Sequence, residues 1–312
     1  MSIVVKNLSY TYGVDSPYEK KALNNINLTI NEGDFLGIIG HTGSGKSTFI
    51  QHINGLIKVQ EGEIQVFDVK LTNAKKPKPD LRALRNNVGM VFQYPEYQLF
   101  EDTVFKDVAF GPKNQGLSTE EIAQRVEEAI NLVGLDYETI KDRAPFELSG
   151  GQKRRVAIAG IIAMKPKVLI LDEPTAGLDP YGKEQILALI SHLKEKSSST
   201  IIVISHDIDE ITRFATRLIV FNNGEIAFDI PMKELFKHRE ELVKMGLDIP
   251  LAVQIANSLR EKGVAVSDDI VTIQDLLREI ARIYEEKNGV TLDKGAIDKR
   301  EFEFDFEGGQ GE

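Results

Sequence analysis

The stretch FLGIIGHTGSGKSTFIQHINGL, residues 35 to 56, limits the fold more than any other part of the chain. A short apolar run stops at a glycine, as a strand buried on both faces does. Eight residues from Gly40 to Ser47 then fit G-x-x-x-x-G-K-S, and an apparent helix follows at once. Gly43 and Gly45 let the backbone wrap closely around phosphate oxygens, with His41, Thr42, Ser44 and Thr48 completing the loop. Lys46 is expected to neutralise the terminal phosphates, and the Ser47 hydroxyl can ligate Mg²⁺. A strand, a glycine-rich loop and a helix in that order belong to an α/β architecture.

Other segments agree. VLILDE (168–173) and TIIVISH (200–206) are two more apolar runs that end on polar residues, where parallel sheets place their ligands. Leu23, Ile26, Leu28 and Ile30 nearly alternate with polar neighbours, as in a half-buried strand. RLIVFNNGEIAF (217–228) reads as a hairpin turning at Asn223 and Gly224. Ser118 to Glu121 fits a capping box, and Ile122, Val126, Ile130 and Val133 share one helical face behind it. After Phe228 the texture changes to two amphipathic helical patterns, 248–263 and 272–287, so a boundary is expected near residue 230. The end, EFEFDFEGGQGE, is expected to be a docked edge strand or a frayed tail.

The net charge of −10 lacks the footprint of a nucleic-acid binder. Basic spots at Lys75, Lys76, Lys78 and Lys153 to Arg155 read as solvated surface. With no cysteine, disulfides and thiolate metal sites are excluded. The longest apolar run, Val156 to Met164, is far short of a membrane span, and no signal peptide is read at the start.

Asp172 and Glu173 supply two carboxylates at the end of a buried strand. Downstream of a phosphate loop, Asp172 is expected to hold Mg²⁺ and Glu173 to act as general base on water. His206 ends the next strand, within reach of a terminal phosphate. Gln93, closing VGMVFQ, offers a neutral oxygen to the metal. LSGGQ (148–152) is a second anion-binding turn, since Ser149, Gly150, Gly151 and Gln152 open a helix whose N–H groups point outward.

In this order, GHTGSGKS, Gln93, LSGGQ, LILDE, AGLD (176–179) and His206 resemble the nucleotide-binding domain of ABC transporters over residues 1 to about 228. The resemblance implies an α/β P-loop core, an antiparallel β subdomain, a helical signature subdomain at about 95–165, and ATP with Mg²⁺. It implies adenine stacking on Tyr12, with Tyr10 second, and catalysis by Glu173, His206, Lys46 and Gln93. It also explains the two anion-binding turns. In that family two such domains meet head to tail, which implies that Ser149, Gly150 and Gly151 serve the ATP held by a second ATPase subunit, with Gln152 in the same nucleotide-binding turn and Asp179 a nucleotide-binding residue at the shared seam.

FQYPEYQLF (92–100) further resembles energy-coupling factor and cobalt-type importer ATPases, and Thr42 resembles the second ATPase of the paired energy-coupling type. That implies a heterodimer with a paralogue on the cytoplasmic face of the cell membrane. A multi-span T-component would dock near Tyr94 to Phe105, and a separate S-component would choose a vitamin or related micronutrient. Residues 231–312 would be a dimerisation extension ending in an acidic tail. The rival readings are a dedicated cobalt or nickel importer ATPase and a non-transport ABC ATPase. Against the second, only 103 positions separate Lys46 from Ser149, with no sustained heptads between them.

Overall fold

A computed structural model describes residues 3–74, 78–196 and 199–292. Lys75, Lys76 and the EFEFDFEGGQGE segment lie outside the described residues. The strands in chain order are β1 (Ile3–Tyr12), β2 (Lys20–Ile30), β3 (Phe35–Ile39), β4 (Glu61–Val66), β5 (Val69–Thr72), β6 (Val88–Val91), β7 (Val168–Asp172), β8 (Thr200–Ile204), β9 (Arg217–Asn222) and β10 (Glu225–Pro231). The helices are α1 (Lys46–Ile53), α2 (Leu81–Asn87), α3 (Val104–Gln115), α4 (Thr119–Leu132), α5 (Tyr137–Ile140), α6 (Gly150–Ile162), α7 (Pro180–Lys196), α8 (Ile208–Thr212), α9 (Arg239–Lys244), α10 (Leu251–Glu261) and α11 (Ile273–Asn288).

The central sheet has the order β10-β9-β3-β8-β7-β6, and a second sheet has the order β2-β1-β4-β5. From β9 to β6 the central strands run parallel, whereas the second sheet is antiparallel. Every residue of β3, β7 and β8 is buried. Alternation sorts their side chains onto the two faces. Phe35, Ile39, Leu169, Leu171, Ile201 and Val203 pack with the helical side, among Val126, Ile158, Ile186 and Ile190. Leu36, Ile38, Val168, Ile170, Ile202 and Ile204 pack with α1 and the antiparallel sheet. Each such side chain contributes about 1.5–3 kcal/mol by leaving water, so the strand ends sit on a stiff base.

Parallel pairing puts the C-terminal ends of β3, β8, β7 and β6 along one edge. Gly40, His206, Glu173 and Gln93 all follow those ends. Gly37 helps shape this edge. A Cβ there would lie 2.1 Å from Ile211 Cγ2, so only glycine lets α8 settle against β3. The β9–β10 hairpin turns at Asn223 and Gly224, both with positive φ, and its pairing continues to Pro231.

The helical layer contains α3, α4 and α6 in mutual contact. The Ser118 capping box forms as its spacing predicts, and Ile122, Val126, Ile130 and Val133 are buried. Beyond the hairpin, Met232, Leu235 and Leu242 join the main core. Ala252, Ala256, Val266, Ile270 and Leu276 form a small cluster of their own around α10 and α11. Those two helices leave Leu251, Ile255, Ile273, Leu277, Ile280 and Tyr284 exposed. No described helix is long and apolar enough to cross a membrane.

Candidate functional site

The loop from Gly40 to Ser47 folds back on itself because glycine occupies each position with positive φ. Gly40, Gly43 and Gly45 have φ of +151°, +82° and +110°. At Gly45 a Cβ would stand 2.6 Å from the Ala22 carbonyl oxygen, so the loop lies against β2 with no room for a side chain. Lys46, the first residue of α1, is 8% exposed, and its ammonium donates to the carbonyls of Gly40 at 2.5 Å and His41 at 3.1 Å. Burial pushes its pKa down, opposed by the nearby charges of Glu173 and Asp172. A buried cation inside a ring of backbone groups is a receptor for a polyanion.

The carboxylates stand across from it. Asp172 closes β7 and is 8% exposed. Burial, reinforced by the Glu173 charge, raises its pKa to about 6, against the opposing pull of Lys46 and of a hydrogen bond from Ser47. Glu173 takes a left-handed backbone, φ +49°, that disfavours a residue with a Cβ by about 1–2 kcal/mol. Its N–H donates to the Ile204 carbonyl at 2.9 Å, which holds the bend against β8. Glu173 Oε2 then lies 2.7 Å from Nδ1 of the exposed His206. A carboxylate oriented by an imidazole at the edge of a phosphate cradle is arranged to take a proton from water.

Ser47 and Asp172 are hard oxygen donors, and among the described residues no cluster of three or more His, Cys, Asp or Glu side chains forms a metal cage. Such a set fits Mg²⁺, which keeps waters and substrate phosphates as most of its ligands. Gln93 is exposed, two residues beyond β6 and beside the β7 end.

A pocket of about 260 Å³ opens beside the loop, lined by Tyr12, Lys20, Ala22, Gly43, Gly45, Lys46, Ser47 and Thr48. Tyr12 is partly exposed on its wall, and its hydroxyl is 3.2 Å from Thr48 Oγ1. Tyr10 instead packs edge-on between Tyr12 and the buried His52. Thr42 and Gly43 are exposed, while Ser44 is fully buried. The His41 ring nitrogen Nδ1 lies 3.0 Å from the Thr42 carbonyl.

Ser149, Gly150, Gly151 and Gln152 are absent from that pocket's lining. They open α6 as a reciprocal capping box, with Gln152 N–H donating to Ser149 Oγ and Ser149 N–H donating to Gln152 Oε1. A Cβ on Gly150 or Gly151 would meet nothing within 4 Å, so the turn faces open space. Asp179 is exposed and accepts from Gly182 N–H at 2.7 Å at the start of α7.

One sequence expectation fails. Arg154 is 1% exposed rather than solvated. Its guanidinium makes a two-pronged contact with Glu96, 2.9 Å on each arm, and donates to the carbonyls of Pro174 and Ala176. It thus ties the signature helix to the segment after Gln93 and to the loop after Glu173. Arg155 is partly buried and donates to Gly134 O. Lys78 is exposed as expected. A basic run read alone carries no sign of partners 58 positions away. Lys183 and Glu210 were likewise missed. Both lie behind the catalytic edge, in a hydrogen-bonded cluster with Thr175, Ser205 and Asp207.

Comparison with known proteins gives the family. Residues 23–176 match the ABC transporter family. The chain is 52% identical to the energy-coupling factor transporter ATP-binding protein EcfA2 of Clostridium perfringens, across 92% of this chain and 100% of that one. Among solved structures, cbiO1 from Clostridium perfringens, part of the ABC transporter complex cbiONQ, superposes with a TM-score of 0.67. It is 38% identical and covers 82% of this chain and 98% of its own. A dimeric post-hydrolysis ATP-binding cassette bound to ADP and Pi gives a TM-score of 0.64 at 33% identity, covering 73% and 98%.

Proposed function

Because the chain belongs to the ABC transporter family and, within it, to the energy-coupling factor transporter ATP-binding proteins, we propose that it is one of two paired ATPases that power micronutrient uptake through membrane partners. As a member of that family it is an ATP hydrolase coupled to transport. The observation that carries the proposal is the contrast between a phosphate cradle beside Asp172, Glu173 and His206 and a signature turn that lines no part of that cradle's pocket and has open space at its glycines.

ATP would bind with its phosphates on the Gly40–Thr48 loop, Lys46 against the terminal oxygens and adenine on the Tyr12 ring, which shares a pocket wall with Lys46 and Ser47. Ser47, Asp172 and Gln93 would hold Mg²⁺, which would supply charge neutralisation at the phosphates when bound. Glu173 takes a proton from water, whose oxygen bonds to the γ-phosphorus while the bond to ADP breaks and its electron pair leaves with ADP. His206 keeps the Glu173 carboxylate in place at 2.7 Å. Ser149, Gly150, Gly151 and Gln152 cap the ATP of the sister subunit, with Asp179 at the shared seam, and the sister's equivalents cap this one. ATP then favours the closed pair and hydrolysis releases it.

A multi-span T-component docks near Tyr94 to Phe105. Tyr97 and Phe100 are exposed there, beside a groove of about 510 Å³ lined by Leu99, Phe110, Gly160 and Met164. An S-component bound through it selects the micronutrient. The exposed apolar residues of α10 and α11 fit the role of a dimerisation extension. The assembly places this chain on the cytoplasmic face of the cell membrane.

The test is a mild-detergent pull-down of the tagged chain from its source's membranes. The expected catch is a second LSGGQ ATPase, one multi-span protein and one or more small membrane proteins. Recovery of this chain alone with one dedicated membrane set would replace the paired reading with a homodimeric importer. Nucleic acid or ribosomes without membrane protein would sink transport altogether.

A further inference from the structure

The hydrolysis scheme leaves one buried carboxylate without a task. Glu210 is 4% exposed. Thr175 Oγ1 lies 2.9 Å from both of its oxygens, Ser205 Oγ donates to Oε2 at 2.9 Å, and Lys183 Nζ is 2.8 Å from Oε1. These partners come from three segments. Thr175 is two residues beyond Glu173, Ser205 immediately precedes His206, and Lys183 sits in the first turn of α7, just after Asp179. Lys183 also reaches Asp207 at 2.7 Å, and Ser205 Oγ accepts the Asp207 N–H at 3.0 Å.

Leaving a carboxylate buried costs several kcal/mol unless charged partners and hydrogen bonds compensate it. A filler of the core has no need of that cost. A fully satisfied polar network does something an apolar contact does not, because it fixes direction as well as distance. The loops after β7 and β8 otherwise meet through Glu173 N–H on Ile204 and the Glu173–His206 contact itself. Glu210 braces both loops from behind.

We propose that Glu210 is a positioning residue for ATP hydrolysis, which sets the Glu173–His206 geometry by holding Thr175, Ser205 and Lys183 on one carboxylate. The proposal rests on Glu173 being the general base. Displacing a reacting group by about 1 Å costs on the order of 100-fold in rate, whereas ATP binding depends on a different loop. Removing the brace should therefore lower kcat and spare KM.

The experiment measures steady-state ATP hydrolysis in the full assembly carrying Glu210→Gln, Thr175→Val, Thr175→Ser or Glu173→Gln in this chain, with its circular dichroism spectrum as a folding check. Glu210→Gln should lower kcat about 10- to 100-fold with KM for ATP within about threefold. Thr175→Val should lose several-fold and Thr175→Ser, which keeps the hydroxyl, should recover it. If Glu210→Gln does not fold, the two Thr175 variants decide. Rates within about twofold of the parent in Glu210→Gln and Thr175→Val, or equal losses in Thr175→Val and Thr175→Ser, would overturn the role. If those variants stay active while Glu173→Gln is dead, the brace alone falls. If Glu173→Gln keeps the parental rate, the base assignment falls and takes this proposal with it.

Discussion

The two anion-binding turns of this chain are built from the same materials and set in opposite surroundings. The loop at Gly40–Ser47 is pressed against β2, and its lysine is buried among carbonyls and carboxylates. The turn at Ser149–Gly151 has glycines with open space where a Cβ would stand, and Ser149 and Gln152 are engaged with each other in its own helix cap. Gly40 and Gly45 in the first turn are there because the protein itself leaves no room. A glycine in the second leaves room for something that comes from outside. On the proposed function the first turn is a complete receptor and the second half of one, which would be why one domain carries both.

The comparison predicts its largest effect at Glu173, where the complete side does its chemistry. Glu173→Gln keeps the shape and removes the base. Hydrolysis by the assembly should fall about 1,000-fold, within the range such a group contributes, while ATP remains bound. Phosphate release and nucleotide retention on the same sample test both halves. Hydrolysis at the parental rate would remove the chemistry from the first turn and leave the contrast without content.

The complete side was also the more legible side. β3, β7 and β8 are short apolar runs with polar terminators, so their ends, and the residues on them, could be placed from spacing alone. The α4 cap and the Asn223–Gly224 hairpin are local features with local signals. Arg154 and Glu210 had no such signal. One sits in a basic run and the other in an acidic helix start, and in both cases the partners that make them buried lie on distant segments. Long-range polar networks are invisible to periodicity, because a charged residue contributes the same to the pattern whether it is solvated or braced. The Asp179 side chain illustrates a third case, since its visible contact is a helix cap, and the seam role proposed for it would need a second subunit.

A middle-sized effect sharpens the picture of the catalytic edge as electrostatically strained without its ligands. Burial and Glu173 raise the Asp172 pKa from 3.8 to about 6. A carboxyl raised in the folded state favours folding below its unfolded pKa, and that contribution is lost as pH rises through the folded value. Near pH 8, in metal-free buffer without nucleotide, the charged Asp172 should therefore cost about 2–3 kcal/mol. Asp172→Asn should be more stable than the parent there, and the gap should close toward about pH 4, as read by urea unfolding at both pH values. A gap independent of pH would show that Asp172 is not held under this strain.

The smallest effect tests the open side. Ser149 caps α6, so Ser149→Ala should cost about 1 kcal/mol of stability, while ATP binding on this chain's own loop stays unchanged. That result alone does not separate a cap from a half-receptor, but Ser149→Asp does. Aspartate caps a helix as well as serine and suits the helix dipole, so stability should stay within about 0.5 kcal/mol of the parent. Its charge, however, faces the space where the sister subunit's phosphate would arrive, and like charges there oppose closure. Hydrolysis by the pair should fall more in Ser149→Asp than in Ser149→Ala, the reverse of their order in stability. If the two properties instead move together, the turn serves only its own helix, and the distinction between a complete and a half receptor fails at this residue.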